Sequence, residues 1–245
     1  MAANIAISAN AAVISKDAIV TPTTIALHPY QVSVRVDGIP SCIGTIISER
    51  VVITTALCIY LFSPPTYSIQ YGVNTIGGSE NIITAELLVK HQHFNPVNFD
   101  NNIGAIILSE SIPLSENTKS IALAKSTPAA GTVGMLTGWG LIANTAILDE
   151  INLEIISNTE CAVKYTGLND ISSSVLCAGV YEDLSQACDG VAGAPFVVNN
   201  TLVGVLSFGD GCGSTTDPAV FTSIPSALEW LSNEVNDVNV ISNIV

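Results

Sequence analysis

The chain has 245 residues, of which 48% are apolar and 11% are charged, and its formal net charge is −14. This acidic balance, without any basic run, argues against a nucleic-acid-binding protein, and the lack of a long apolar stretch argues against a membrane span. The apolar content and the length favour a folded chain with a large core, as one all-β domain or two smaller ones.

Residues 1–18 are predicted to form a leader or pro-segment. They are rich in Ala, Ile and Asn and begin without positive charge, and Ala9-Asn10-Ala11 places small residues as a signal-peptide cleavage site does. The pattern fits both the tail of a signal peptide and a flexible leader.

Short strands are predicted along most of the chain. Apolar and polar residues alternate from Val32 to Val36, which predicts a half-buried strand. Turn residues separate further apolar runs, also predicted as strands: Val51–Ile53, Ile103–Leu108, Leu153–Ile156, Phe196–Val198 and Leu202–Phe208. Residues 119–131, rich in Ala, Pro, Ser, Thr and Gly, are predicted to link two β halves. Many short strands favour a sandwich or barrel.

One helix is predicted near the C-terminus. Ser226 is the expected N-cap, and Leu228, Leu231 and Val235 fall on one face of the segment that follows.

The cysteines indicate an oxidising compartment. The six are Cys42, Cys58, Cys161, Cys177, Cys188 and Cys212. An even number at wide spacings, without a Cys-x-x-Cys pair, predicts three disulfides rather than a zinc or redox motif, and their pairing stays open. Asn199 begins an Asn-x-Thr glycosylation sequon, which fits a secreted protein.

Several motifs occur in one order along the chain: Ile19-Val20, His28–Ser33, Cys42–Thr45, Thr54–Cys58, Gly138–Gly140, Cys188–Pro195 and Ser207–Gly209. Together they resemble the trypsin/chymotrypsin family of serine proteases. Within that family the chain resembles the trypsin-like group 3 proteases of mites, and specifically the inactivated serine protease paralogues of the scabies mite.

The resemblance implies an all-β fold of two six-stranded antiparallel barrels with a C-terminal helix. Residues 19–118 would form the N-terminal barrel, 119–131 the linker, and 132–245 the C-terminal barrel with the helix. The active site would lie in the cleft between the barrels. The resemblance also implies the disulfide pairs Cys42–Cys58, Cys161–Cys177 and Cys188–Cys212.

A serine protease needs a nucleophile, a base that takes its proton and a carboxylate that orients the base. The resemblance places Leu57 at the position of the base, Asn102 at that of the carboxylate and Ala192 at that of the nucleophile. Leucine accepts no proton, the amide carries no charge, and a methyl group cannot attack a carbonyl. The resemblance therefore implies a pseudoprotease rather than an enzyme.

The activation switch of the family is also altered. Val191, next to Gly190, stands where the family has the Asp that pairs with the freed N-terminal amine. Ala18 precedes Ile19, where the family cleavage point has Arg or Lys.

The substrate pocket differs from that of a trypsin. The resemblance places Gln186 at the charged base of the pocket and Ala219 at a glycine of its wall, whereas Gly209 keeps the family pattern. Without a charge, the pocket is not expected to hold Lys or Arg. Ile43 replaces a glycine and is expected to crowd the leaving-group side of the cleft.

The three histidines are expected to have structural, surface or interface roles rather than to bind a metal. His28 belongs to a motif before a strand and is expected to be structural. His91 and His93 would share one face of a strand, but no third ligand is near, so a surface or interface role is expected. No metal or other cofactor is predicted.

The resemblance implies a secreted, monomeric binding protein of mite gut and faeces that meets host plasma proteins and inhibits complement. A decoy that binds protease inhibitors or substrates in the cleft is an alternative, and a residual hydrolase that uses other residues is another. Lys and Arg together number only seven. A protein with so few Lys and Arg residues would resist trypsin-like proteases, which cleave after them. Selection for solubility would also produce this composition.

Overall fold

The computed structural model describes residues 20–60, 66–141, 146–179, 191–213 and 217–236. The leader (1–18), Ile19, Gln186, Cys188 and Gly190 lie outside the described residues.

The first barrel is built from six antiparallel strands: β2 (Gln31–Val36), β3 (Ile39–Ser48), β4 (Val51–Thr54), β5 (Tyr67–Tyr71), β6 (Ile82–Lys90) and β7 (Gly104–Leu108). They close in the order β2-β3-β4-β7-β6-β5. β-Branched residues dominate the interior because they pack well on a pleated surface.

The second barrel also closes with six strands: β9 (Val133–Trp139), β10 (Leu148–Ile156), β11 (Val175–Ala178), β12 (Pro195–Val198), β13 (Thr201–Gly213) and β14 (Pro218–Ser223). Pairing of β9 with β10 completes the ring. Two short strands attach from outside: β1 (Thr21–Pro22) pairs with β10, and β8 (Ala122–Leu123) pairs with β13. The predicted linker therefore contributes a strand to the second barrel.

The prediction of two six-stranded antiparallel barrels is confirmed. The strand predicted from the alternation at Val32 is β2, but both of its faces are buried. Val32 and Val34 point into the barrel core, whereas Gln31 faces the second barrel and accepts a hydrogen bond from Thr137 Oγ1. The alternation of apolar and polar residues shows which face of β2 is polar. It does not show that the second barrel covers this face.

Three helices complete the described chain: α1 (Ala56–Tyr60), α2 (Asn158–Lys164) and α3 (Ile224–Asn236). The predicted C-terminal helix is present, but Ser226 is not its N-cap. The helix begins at Ile224, since Pro225 suits the first turn, where its missing N–H removes no hydrogen bond. Ser226 Oγ instead donates to Ser223 O at 2.7 Å. No described helix is long and apolar enough to cross a membrane.

The prediction that His91 and His93 share a strand face is wrong. Strand β6 ends at Lys90, and both histidines lie in the turn that follows. His91 is buried against Trp230 of α3, with ring centroids 5.2 Å apart. Burial and the nearby His93 lower the pKa of His91. In the described parts of the chain, no group of three or more His, Cys, Asp or Glu side chains could hold a metal ion.

Two of the expected disulfides are present. Cys42–Cys58 joins β3 to α1, and Cys161–Cys177 joins α2 to β11. The expected partner of Cys212, Cys188, lies outside the described residues, so this third pair stays a prediction.

Removing either observed disulfide is expected to cost similar stability. Each joins cysteines 16 residues apart, and the chain-entropy model gives about 3 kcal/mol for loops of this length. Replacing Cys42 and Cys58 by Ser, and separately Cys161 and Cys177, should each lower the free energy of urea unfolding by that amount. A loss confined to one pair would show that unfolded-chain entropy is not the main source of stabilisation.

Candidate functional site

Two strand ends of the first barrel and one turn of the second barrel meet at the seam between the barrels. Register between β4 and β7 pairs Thr54 with Gly104, so Leu57, just after β4, lies beside Asn102, just before β7. The turn before β12 carries Ala192, whose carbonyl oxygen accepts a hydrogen bond from Ile43 N of β3 at 2.9 Å. The fold thus brings together the positions that the sequence analysis singled out.

Asn102 is fully buried, and both ends of its amide are used. Its Oδ1 accepts from Leu57 N at 2.9 Å, and its Nδ2 donates to Ser207 Oγ at 2.8 Å. Thr222 Oγ1 donates to the main-chain oxygen of Asn102 at 2.8 Å. The side chain is therefore held by both barrels, since Ser207 and Thr222 belong to β13 and β14.

The side chain of Leu57 is apolar and partly buried, so it forms no hydrogen bond with Asn102. The hydrogen bond between the two residues is donated by the backbone N–H of Leu57. Ala192 O lies 3.8 Å from the sulfur of Cys58, the residue after Leu57. The site therefore keeps a compact arrangement around Asn102 but presents a leucine and a methyl group.

The neutral amide at position 102 suits its surroundings. A carboxylate with no exposed surface would need a nearby cation, because burying an unpaired charge is costly. Among the described residues, the hydrogen-bond partners of the Asn102 side chain are Leu57 N and Ser207 Oγ, neither of which is a cation. An amide keeps both side-chain hydrogen bonds without placing a charge beside Leu57.

An apolar cluster lies behind this site. Val191 is 1% exposed and belongs to the core of the second barrel. A side chain added at Gly138 would meet Ile43 Cδ1 and Val191 Cγ1, each at 3.1 Å, so both residues pack over this glycine. Ile43 is itself buried in that core, and the expectation that it crowds the cleft stays a prediction.

The wall of the expected substrate pocket is closely packed. Ala219 of β14 is fully buried, and a Cβ added at Gly209 would lie 3.1 Å from its Cα. Gly209 adopts φ 144°, which favours glycine. The pocket base predicted at Gln186 lies outside the described residues.

An aromatic group beside the seam was not predicted. The rings of Phe99 and Phe208 lie 5.5 Å apart, and Tyr165 packs edge-on against Phe208 at 5.7 Å. Phe99 has φ 57°, which is strained for a bulky side chain. Phe208 stands in the Ser-Phe-Gly motif, but Phe99 carries no sequence signal that points to it.

A polar network fixes the loop that carries Phe99. Asp100 accepts hydrogen bonds from Ser172 Oγ at 2.6 Å and from Ser174 Oγ. Burial raises the pKa of Asp100, but these bonds and one from the Asn101 backbone outweigh it, so the pKa lies below its ordinary value.

Two further residues have simple placements. His28 is buried, and its Nε2 lies 2.7 Å from Glu150 Oε2 of β10, which fits the expected structural role. Asn199 is exposed at the turn between β12 and β13, with φ 49°. The sequon is therefore accessible, and its glycosylation stays a prediction.

Comparisons with known proteins agree on one family. The family model described as Trypsin matches residues 19–231. Trypsin beta of Drosophila erecta is 32% identical over 219 residues, which cover 87% of this chain and 86% of that protein. A trypsin of Sarcophaga bullata is 30% identical, with 88% and 87% covered. Serine protease 1 of Rattus norvegicus is also 30% identical, with 84% and 85% covered.

Proposed function

Because this chain belongs to the trypsin family of serine proteases, we propose that it is a catalytically inactive member that acts as a secreted binding protein. One observation carries the proposal: the motifs of the chain place Leu57, Asn102 and Ala192, by resemblance, at the positions of the family's base, carboxylate and nucleophile. None of these side chains can take a proton from a nucleophile or attack a carbonyl. In proteases of this kind, loss of the triad leaves only about 10³–10⁴-fold acceleration over water.

The neighbourhood of the site supports the proposal. Asn102 is neutral and has both amide ends bonded, so it is suited to a site without an imidazolium. Val191 is buried among apolar side chains, where the family has the Asp that pairs with the N-terminal amine. A site that lost its triad and its activation partner is what relaxed selection on catalysis would produce.

Secretion is supported by the disulfides Cys42–Cys58 and Cys161–Cys177, which persist in oxidising compartments. The substitutions at the triad resemble those of the inactivated scabies mite paralogues. From that resemblance we take host plasma proteins as the partners and inhibition of complement as the effect. The net charge of −14 would steer basic partner surfaces and make association sensitive to salt.

A serum assay tests this function. Folded protein is added in graded doses to human serum, and deposition of complement products on an activating surface is followed, with heat-denatured protein as the control. Dose-dependent inhibition by the folded form alone is expected. No effect on any of the three activation pathways would contradict the complement assignment.

A binding protein among proteases would benefit from few cleavable bonds, and the placement of the cations supports this idea. Arg35 is 7% exposed and donates to the main-chain oxygens of Gly38 and Gly78. Lys90 is exposed, but its backbone is paired with Gly104 in the sheet, and its ammonium lies 4.6 Å from the centre of the Tyr60 ring. Such residues do not fit a protease cleft without local unfolding.

Native protein is therefore expected to resist trypsin and to be cut first, within the described residues, at Lys119 or Lys125. Both are exposed and lie in the predicted linker. Digestion followed by intact-mass spectrometry checks the order of cleavage, and replacing both lysines by Gln should slow the first cut several-fold. Degradation as fast as that of a basic control protein of equal size would contradict the prediction.

A further inference from the structure

The three most exposed large apolar side chains of the described residues lie on two neighbouring segments. Val97 is 86% exposed, Leu168 72% and Val163 70%, ahead of the other exposed large apolar residues described. Val163 belongs to α2, Leu168 to the turn after it, and Val97 to the loop before β7. We call these three residues the α2 patch. Large apolar side chains exposed on neighbouring segments are candidates for an interaction site.

One hydrogen bond joins the two segments that form the α2 patch. Asn169 Nδ2, next to Leu168, donates to the main-chain oxygen of Asn98, next to Val97, at 3.0 Å. The patch therefore spans both barrels and exists only in the folded protein.

A shallow groove, widely open to solvent, lies on the exposed face of α2. Its volume is about 520 Å³, and it is lined by Asn158, Thr159, Ala162, Val163, Thr166 and Ile171. Val163 is shared between the groove and the α2 patch. A partner side chain that enters the groove would therefore also contact the patch.

The segments around the groove are held in place before any partner binds. Asn158 Nδ2 donates to Val175 O at 2.9 Å, and Asp100 accepts from Ser172 and Ser174. A surface fixed in this way loses little conformational freedom on binding, which favours affinity.

Charge determines which kind of partner fits. Glu160 and Asp170 are exposed and follow or precede the groove residues Thr159 and Ile171 in sequence, and Lys164 is the sole cation in residues 158–171. The chain as a whole carries −14, so a second copy would be repelled. A partner with apolar side chains flanked by Lys or Arg would match both the patch and its rim.

We propose that the α2 patch and its groove form the docking surface for a cationic, amphipathic segment of a partner protein. The inference rests on the proposed binding function and assigns a surface to it. Binding then lies on the α2 side of the molecule, and the residues at positions 57, 102 and 192 do not contribute.

The test compares matched variants. Val97, Val163 and Leu168 are each changed to Ser in the patch variant. In the control variant, Leu27, Ile39 and Leu114, which are 69%, 67% and 48% exposed elsewhere, are changed to Ser. Thermal melting confirms that both fold. Each protein is assayed for complement inhibition in serum and for binding to a short helical Leu/Lys peptide. The same peptide with Glu in place of Lys is the control probe.

We expect the wild type and the control variant to inhibit complement and to bind the Leu/Lys peptide. Their affinity for this peptide should fall as the salt concentration rises, and neither should bind the Leu/Glu peptide. The patch variant should lose about tenfold or more in both assays, since a few buried anchors dominate protein interfaces. Full inhibition by the patch variant would overturn the inference and leave the proposed function standing.

If the wild type does not inhibit complement, the proposed function fails. Binding of the Leu/Lys peptide then tests the docking surface by itself. Binding by the wild type but not by the patch variant would still support the α2 patch. Equal binding by both, or by neither, would overturn it. A wild-type dimer in sedimentation that the patch variant lacks would assign the face to self-contact and also overturn the inference.

Discussion

Changing Leu57→His, Asn102→Asp and Ala192→Ser together is expected to leave peptide hydrolysis at least about 10²-fold below that of an active trypsin. Loss of one oxyanion-hole donor alone costs about 10²–10³-fold in a serine protease. In the family, the Asp before the nucleophile orders that hole, and the resemblance places at this position Val191, which is buried among apolar side chains. Restoring the reacting groups does not restore the partner that positions them.

The assay must separate chemistry from substrate fit. The revertant is produced with its N-terminus at Ile19, so that a lack of N-terminal processing does not hide activity. The pocket base is predicted at the neutral Gln186, so the substrate is a mixture of peptides with every side chain before the cleavable bond. A fluorophosphonate probe reports the nucleophile directly. Rapid cleavage by the revertant would show that Val191 and Gln186 matter less than their positions indicate.

The single change Asn102→Asp is expected to lower the free energy of unfolding by about 3 kcal/mol at pH 7. The position has no exposed surface, and removing the compensation of a buried charge typically costs about 3–5 kcal/mol. Burial should raise the pKa of the introduced carboxyl in the folded protein above the value of about 3.9 in the unfolded chain.

The sign of the pH dependence follows from that shift. Above the folded-state pKa the carboxyl is charged in both states, and the full penalty applies. As the pH falls through the folded-state pKa towards the unfolded value, the penalty shrinks, and below both values it is absent. The deficit relative to the wild type should therefore narrow on acidification, as measured by urea unfolding across pH.

Asn117→Asp is the matched control, because Asn117 is exposed and the change in charge is the same. It should cost little at any pH. Adding Leu57→His to Asn102→Asp should recover part of the loss where the imidazole is protonated, and a double-mutant cycle measures the coupling. If the loss in free energy of unfolding caused by Asn102→Asp did not change with pH, the stabilising role assigned to a neutral side chain at this position would be contradicted.

The strands were predictable because their signal is local. The alternation around Val32 and the β-branched runs mark the strands wherever one face packs on a core. The short helices α1 and α2 were not predicted, since segments of five and seven residues carry too little helical periodicity. The start of α3 was misplaced because Ser226 is a good cap and Pro225 is a better first-turn residue.

The site was predictable only through the resemblance. Leu57 and Asn102 are 45 residues apart, and pairing of β4 with β7 is what brings them together. The buried position of Ile43 depends on how the two barrels pack, as does the cover over the polar face of β2. The α2 patch depends on the contact between Asn98 and Asn169, which no local pattern encodes.

The most direct measurement of the central claim is active-site labelling of the wild-type protein. The chain, with its N-terminus at Ile19, is incubated with a fluorophosphonate probe and with the peptide mixture, beside an active trypsin. The account predicts no labelled residue on this chain by mass spectrometry and no cleavage above the buffer rate. A labelled serine or threonine, or turnover that the probe abolishes, would show a working nucleophile and contradict the claim that the fold is retained without its chemistry.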